Sequence, residues 1–77
     1  MKALQFNVNG QSLRFREEGT TGGLLYNPSN GCSALITSQG LLILCSYIDG
    51  YLDPSQRADV ASILAALELP VPQDLRA

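Results

Sequence analysis

The sequence predicts a small α+β domain, in which a mostly antiparallel sheet of about five strands (two hairpins plus one short strand) carries one C-terminal α-helix packed on it. Three features lead to this prediction: an Asn9-Gly10 pair between two segments of alternating hydrophobicity, a continuous apolar run after Gly40, and a helix start at Asp53-Pro54. With 77 residues the chain has room for one domain, residues 1–77. A domain of this size buries only about 60% of the surface that its unfolded chain exposes, so a partner would add to its stability.

Residues 3–17 are predicted to form the first hairpin. Asn-Gly is strongly favoured in the two-residue type I′ turn, whose twist matches that of the flanking strands. Counting from this turn sets the register, with the pairs Val8–Gln11, Phe6–Leu13, Leu4–Phe15, Gln5–Arg14 and Lys2–Glu17. The alternation places four side chains in the core, Leu4, Phe6, Leu13 and Phe15, and leaves Arg14 and Arg16 in solvent.

Two further strands are predicted after this hairpin. Residues 18–23 are a connector, and its glycines form either an ordinary flexible turn or a nest of backbone N–H groups that could hold an anion. The third strand covers residues 23–27 and ends at residues 28–31, which have the composition of a type I or type II turn. The fourth strand is then expected over residues 32–38.

The apolar run that follows Gly40 is predicted to be the central strand. Five apolar residues stand in succession, a pattern typical of a strand that is covered on both faces. A tight turn at residues 39–40 would pair this strand with the fourth one and would bring Ile36 opposite Ile43. The other face of this second hairpin would carry Leu35, Leu42 and Leu44. Because one helix cannot cover both faces, part of the hairpin is expected to be an interface.

The helix is predicted over residues 54 to about 68. Asp53 is a favourable N-cap, Pro54 suits the first helical position, and Gln56 is placed to complete a capping box. Apolar residues recur at helical spacing at Val60, Ala61, Leu64, Ala65 and Leu67. The prolines at positions 70 and 72 cannot continue a helix, so a tail of about residues 69–77 is expected to be extended.

Charge and composition argue against several functions. The net charge is −2 and the five basic residues are scattered, so direct binding of nucleic acid is not expected. The chain has no apolar segment of membrane-spanning length and no apolar stretch of the signal-peptide type, which makes the cytoplasm the expected compartment. It contains no histidine, the commonest general base and a frequent zinc ligand. We therefore expect no metal, no cofactor and no catalytic residue.

Two cysteines and two aspartates were the remaining candidates for chemistry. Cys45 lies in an apolar segment without a neighbouring cation, a setting that raises a thiol pKa, so we expect an inert core cysteine. A disulfide between Cys45 and Cys32 is the minor alternative. Asp49 fits an Asp-Gly turn and Asp53 fits an N-cap, and this pair is therefore interpreted as structural, in preference to metal ligands or an acid and base.

The central run also carries a family resemblance. Residues 40–49, Gly-Leu-Leu-Ile-Leu-Cys-Ser-Tyr-Ile-Asp, precede a helix that is rich in alanine at positions 58, 61, 65 and 66. Over residues 40–66 this arrangement resembles the core segment of the YunC-like domain family of unknown function, in which a glycine-led strand ends in cysteine, glycine, tyrosine and leucine before an alanine-rich helix. Ser46 stands where that family has glycine. The resemblance implies a small α+β domain and no established activity.

Two classes of function stay open. The first is a small non-catalytic protein–protein interaction module, which acts by stoichiometric binding as a homodimer or as a regulator or inhibitor of a larger protein assembly, as compact phage and accessory-genome proteins do. The alternative is a small enzyme or ligand-binding domain that uses Cys45, Asp49 and the Gly22-Gly23 loop at a subunit interface. Small size, few charges and the two-sided apolar hairpin favour the first class. Its expected partner-binding residues are Leu35, Leu42, Leu44, Tyr47, Tyr51, Arg14 and Arg16.

Overall fold

The computed structural model describes residues 3–75. Within these residues the chain forms one four-stranded antiparallel sheet and two α-helices. The elements are β1 (Ala3–Val8), β2 (Gln11–Glu18), β3 (Gly22–Tyr26), β4 (Ser33–Thr37), α1 (Ser38–Asp49) and α2 (Arg57–Ala66), with short 3-10 turns at Pro54–Gln56 and Gln73–Leu75. The predicted α+β class, the antiparallel sheet and the first hairpin are confirmed. The predicted count of about five strands and one helix is wrong, because the expected central strand is a helix.

The first hairpin has the predicted turn and register. Asn9 and Gly10 both have positive φ, 52° and 84°, as a type I′ turn requires. The observed pairs include Val8–Gln11, Phe6–Leu13, Leu4–Phe15 and Gln5–Arg14, while the predicted Lys2–Glu17 pair lies outside the described residues. The sheet continues as a simple meander in the order β1-β2-β3-β4. β3 begins one residue before the predicted strand, and β4 is one residue shorter than predicted at each end.

The apolar run after Gly40 lies in α1, which corrects the predicted second hairpin. Thr37 is the N-cap, and its hydroxyl oxygen accepts a hydrogen bond from the N–H of Gly40 at 3.0 Å. Gly50 ends the helix in the left-handed conformation with φ of 83°, and its N–H donates to carbonyl groups of the last turn. Both caps favour a helix, so the strand pairing expected between Ile36 and Ile43 does not form.

The second helix starts where the sequence predicts, although its first turn is a 3-10 turn. The carboxylate of Asp53 accepts hydrogen bonds from the N–H and the hydroxyl of Ser55, both at 3.0 Å. In a capping box the main-chain N–H of Gln56 would donate to the side chain of Asp53. Here it donates to the main-chain carbonyl of Asp53 at 2.8 Å, so the predicted capping box is not formed. α2 ends at Ala66, before the predicted end at about residue 68, because Glu68 adopts a positive φ of 55°.

The tail after α2 packs on the domain. Leu69 and Leu75 are buried, and Val71 contacts the core cluster. The N–H of Leu69 donates to the carbonyl of Leu64 at 2.9 Å, which turns the chain back against α2. The tail, predicted to be extended, thus covers part of the core, and it departs from an extended chain at the 3-10 turn of Gln73–Leu75.

The core lies between one face of the sheet and the two helices. Its fully or nearly buried members come from both layers and from the tail: Val8, Leu13, Phe15, Leu25, Ile36, Ile43, Leu44, Val60, Leu64, Leu67, Leu69 and Leu75. Phe6 packs against this cluster as predicted, but Leu4, which was predicted in the core, is 44% exposed. The Leu4 side chain is on the predicted, core-facing side of the sheet. It lies on the outer strand β1, at the end that the helices do not cover. Within residues 3–75 neither helix packs on the opposite face of the sheet.

Candidate protein-binding face

The uncovered side of the sheet, called the open face below, is formed by the residues that alternate with the core-facing ones. Strand pairing places side chains of all four strands on it: Ala3, Gln5, Asn7, Ser12, Arg14, Arg16, Glu18, Leu24, Tyr26, Ser33, Leu35 and Thr37. An antiparallel sheet with one solvated face usually presents polar side chains there. This face departs from that pattern at its centre.

The centre of the open face is apolar. Leu35 on β4 is directly opposite Leu24 on β3, and Leu35 is 80% exposed. Tyr26 lies two residues along β3 from Leu24 and is opposite Ser33, and both Leu24 and Tyr26 are half-buried. Three large side chains with apolar surface thus lie together on strands β3 and β4, without a covering element among the described residues.

Basic side chains lie beside this apolar centre. Arg14 is opposite Tyr26 and Arg16 is opposite Leu24. Arg16 forms an ion pair with Glu18, with 2.8 Å between Nη2 and Oε2, whereas Arg14 makes no ion pair within residues 3–75. The remaining acidic residues of the chain lie off the open face, at Glu17, Asp49, Asp53, Asp59, Glu68 and Asp74. The open face is therefore the less acidic side of an acidic chain.

Two shallow clefts flank the apolar centre. One, of about 270 Å³, is lined by Glu18, Thr21, Leu35 and Thr37 together with the Gly22-Gly23 pair. The other, of about 410 Å³, lies at the opposite end of the face and is lined by Ala3, Leu4, Gln5, Arg14, Phe15, Arg16 and Tyr26. Both clefts are open depressions of a size that accepts a protruding side chain of another protein.

The structure separates the residues that were expected to bind a partner. Leu35, Arg14 and Arg16 come together on the open face. Leu42, 63% exposed on α1, and Tyr51, 84% exposed after Gly50, lie outside the sheet. Of the two remaining expected residues, Leu44 is buried and Tyr47 is half-buried.

Leu44 is fully buried in the core, so its assignment to a binding surface is corrected. Tyr47 is half-buried, and its hydroxyl oxygen accepts a hydrogen bond from the side-chain Nδ2 of Asn9 at 3.0 Å. This contact ties α1 to the first hairpin. Sequence reasoning missed Leu24 and Tyr26, although the alternation of Leu24 and Tyr26 with the core-facing Leu25 in β3 is the signal that places them on the open face.

The cysteines and acidic residues form no reactive arrangement. Both cysteines are free and half-buried, so the minor disulfide alternative is not realised. Burial raises the pKa of the Cys45 thiol, and the negative charge of Asp49 one turn away raises it further. A hydrogen bond to Glu68, with smaller effects of burial and of the Glu68 charge, raises the pKa of Cys32. Neither thiol is shifted toward the reactive thiolate.

Glycines 22 and 23 have a structural explanation. They lie in β3 and not in a loop, and both are buried. A Cβ atom on Gly22 would contact the carbonyl oxygen of Ile36, and one on Gly23 would contact the carbonyl oxygen of Arg16. The neighbouring strands therefore approach too closely for a side chain. Neither Cys45 nor Asp49 lines the cleft beside these glycines.

The described residues contain no group of three or more histidine, cysteine, aspartate or glutamate side chains that could hold a metal ion. Over the same part of the chain, neither helix has the length and hydrophobicity needed to cross a membrane. Comparison with protein-family models, curated proteins and solved structures finds no match to this chain. The resemblance to the YunC-like family stays a prediction, and the strand that it implies for residues 40–48 is helical in this chain.

Proposed function

We propose that this chain is a non-catalytic protein–protein interaction module, which binds another protein through the open face of its sheet. The observation that supports this most directly is the 80% exposure of Leu35 beside Leu24 and Tyr26 on a face without a helix. Apolar surface removed from water contributes roughly 25 cal/mol per Å². A partner that covers these three side chains therefore gains free energy that the isolated chain forgoes.

The chemistry of the face suggests an apolar contact with an acidic border on the partner. Arginine and tyrosine are enriched among the residues that dominate binding energies, because both combine a large contact area with directional hydrogen bonding. Arg14 is available for a carboxylate of the partner, since within residues 3–75 it has no ion pair. Arg16 is already paired with Glu18 and would contribute less.

The proposed mode of action is stoichiometric binding, as a homodimer or as a regulator or inhibitor of a larger assembly. We place this activity in the cytoplasm, where two free cysteines stay reduced. No cofactor has a role in the proposal. The alternative of an enzyme or ligand-binding domain gains no support from the site, because burial and, to a smaller extent, the charge of Asp49 disfavour the thiolate of Cys45, and the Gly22-Gly23 pair is part of a strand.

The proposal is tested by affinity capture from an extract of cells that express the protein, with quantification of the bound proteins. Leu24→Glu and Arg14→Glu place negative charge on the open face. Leu42→Glu is the matched control, because Leu42 is an exposed leucine on α1. Binding through the open face predicts a protein that the wild type and the control retain equally and that both open-face variants lose. The proposal would be overturned if only the Leu42→Glu control loses the captured protein. It would also be overturned if no captured protein is lost with the open-face variants.

A further inference from the structure

The outer strand β4 lacks the features that normally prevent an edge strand from pairing with another chain. Natural edge strands are protected by charged residues, prolines or bulges. β4 has the sequence Ser-Ala-Leu-Ile-Thr, without a charge or a proline, and its pairing with β3 continues from Ser33 to Thr37 without a bulge. Within the described residues β4 pairs only with β3, so its other edge is unpaired.

The main-chain groups at this edge can be assigned from the hydrogen bonds at the two ends of β4. The N–H of Ser38 donates to Thr21 at 2.8 Å, and the carbonyl of Cys32 accepts from Asn27 at 2.9 Å. In an antiparallel pair the residues alternate between those that bond to the neighbouring strand and those whose N–H and C=O groups point away from it. The even-numbered residues of β4 therefore face β3. Ser33, Leu35 and Thr37 direct their main-chain groups outward.

From this edge we infer that a second copy of the chain pairs with β4, antiparallel and with the two-fold axis at Leu35. The inference rests on the proposed function, since it names the chain itself as one of its protein partners. The two Leu35 residues would exchange N–H to C=O hydrogen bonds, and at each end the N–H of Thr37 would donate to the carbonyl of Ser33 of the second copy. Two four-stranded sheets would join into one continuous sheet.

The side chains of β4 fit this symmetric pairing. About Leu35 the strand reads almost the same in both directions, so Ser33 meets Thr37 and the small Ala34 meets the larger Ile36. The two Leu35 side chains, each 80% exposed in one chain, become direct cross-strand neighbours on the open face. Pairing at β4 thus covers the most exposed leucine of the chain with its own copy.

The opposite edge is less suited to self-pairing. With the type I′ turn at Asn9-Gly10, the outward-facing residues of β1 are Ala3, Gln5 and Asn7. Two of these three side chains are polar amides, and none presents exposed apolar surface comparable to Leu35. Leu4, on the core-facing side of β1, is 44% exposed against 80% for Leu35, and we therefore assign the second copy to β4.

Disulfide trapping tests the register of this pair in the full chain, with Cys32→Ser and Cys45→Ser as background. At the two-fold axis the Cα atoms of directly paired residues are about 5.5 Å apart, within the range that a disulfide bridges. Leu35→Cys is expected to form a disulfide-linked dimer under mild oxidation. Ser33→Cys alone is not, because its two copies are separated by about 14 Å, whereas a mixture of Ser33→Cys and Thr37→Cys chains is expected to cross-link.

Leu42→Cys controls for exposure, since Leu42 is 63% exposed and lies on α1. The inference is overturned if Leu42→Cys or Ser33→Cys cross-links as rapidly as Leu35→Cys, or if Leu35→Cys does not cross-link.

A second experiment measures solution mass by light scattering for proline variants. Leu35→Pro removes an N–H that faces outward, and proline is tolerated at such edge positions. For Leu35→Pro we expect the dimer dissociation constant to increase by about tenfold or more. Gln5→Pro is the matched control on the β1 edge and is expected to leave the mass at twice that of the monomer. Equal dimerisation by both variants, with far-UV circular dichroism unchanged, would exclude the β4 edge.

The variant Leu24→Glu separates this inference from the proposed function. Leu24 lies on β3, away from the edge, so this variant is expected to lose a foreign partner and to keep the Leu35→Cys cross-link when the two changes are combined. A chain that cross-links at β4 but captures no foreign protein would contradict binding of a foreign partner through the open face and would leave the self-pairing intact. A chain that captures an open-face partner as a monomer would contradict the self-pairing alone.

Discussion

Leu42 and Leu44 together test the helical assignment of the apolar run, because a helix and a strand place them differently. In a strand, residues two apart share one face, so both leucines would be equally buried or equally exposed. In a helix of 3.6 residues per turn they are about 200° apart. Leu44 is fully buried and Leu42 is 63% exposed, as the helix requires.

Truncation to alanine converts this difference into stability. Deleting a fully buried leucine side chain costs about 2–5 kcal/mol, since the lost burial adds to the cavity that remains. A chain of 77 residues has a total free energy of unfolding of roughly 4–12 kcal/mol, so Leu44→Ala removes a large part of it. At about 4–8 °C per kcal/mol, the midpoint of thermal unfolding should fall by at least about 8 °C. Leu42→Ala should change the free energy by no more than about 0.5 kcal/mol.

Urea denaturation followed by far-UV circular dichroism measures both variants against the wild type at one protein concentration. Equal slopes with different midpoints would confirm that the changes are in stability. Similar losses in the two variants, or a larger loss for Leu42→Ala, would refute the helical register of α1 and with it the single covered face of the sheet.

Three further predictions follow from the caps and the thiol. Thr37→Ala should lower the free energy of unfolding by about 1 kcal/mol in urea denaturation, because the Thr37 hydroxyl caps α1. Thr37→Ser should retain the wild-type value, and equal values for the two variants would contradict the role of this hydroxyl as a cap. Hydrogen bonds from Ser55 lower the pKa of Asp53 in the folded chain, so its contribution to stability is present above the unfolded pKa and is lost as the pH falls through the lowered folded pKa. As the pH falls below about 4, the urea midpoint of unfolding should therefore decrease less for the Asp53→Asn variant than for the wild type. Equal decreases in the two proteins would show that protonation of this carboxylate is not linked to folding. Because its pKa is raised, the Cys45 thiol should react with iodoacetamide near neutral pH more slowly than free cysteine does. The rate is measured by mass spectrometry in a Cys32→Ser chain. Rapid alkylation would contradict this expectation and support a reactive thiol.

The first hairpin could be predicted from the sequence because its information is local. The Asn9-Gly10 turn demands positive φ at both positions, and two residues of loop leave only one register for the flanking strands. The helix start at Asp53-Pro54 was predictable for the same reason, since the cap acts within two residues. The local pattern does not show how far the helices extend over the sheet. Among the described residues they cover Val8 at one end of β1 and leave Leu4 at the other end exposed.

The helix α1 was missed because its apolar run is too short for its period to be read. Eight residues of mostly apolar character fit a buried strand and a buried helix equally well, and only the flanking residues separate them. Those signals were present in Thr37, whose hydroxyl caps the helix, and in Gly50, which takes the left-handed conformation at its end. An Asp-Gly pair interpreted as a turn was the end of a helix.

The same error had consequences for the candidate site. A strand would have put Leu42 and Leu44 beside Leu35 on one exposed face, whereas the helix buries Leu44 and carries Leu42 away from the sheet. The interaction surface that we propose therefore lies on β3 and β4, where Leu24 and Tyr26 take the place of Leu42 and Leu44. Charged neighbours were easier to place, because Arg14 and Arg16 alternate with core residues in a hairpin of known register.

Residue-specific amide hydrogen exchange at Leu35 tests most directly whether the free edge of β4 pairs with a second copy of the chain. In a single chain the N–H of Leu35 points away from β3, while those of Ala34 and Ile36 face it. We expect exchange at Leu35 to be fast in dilute solution and to slow toward that of its two neighbours as the protein concentration rises. Fast exchange at Leu35 up to about 1 mM, with both neighbours protected, would show an edge that pairs with no second copy and would contradict the self-pairing.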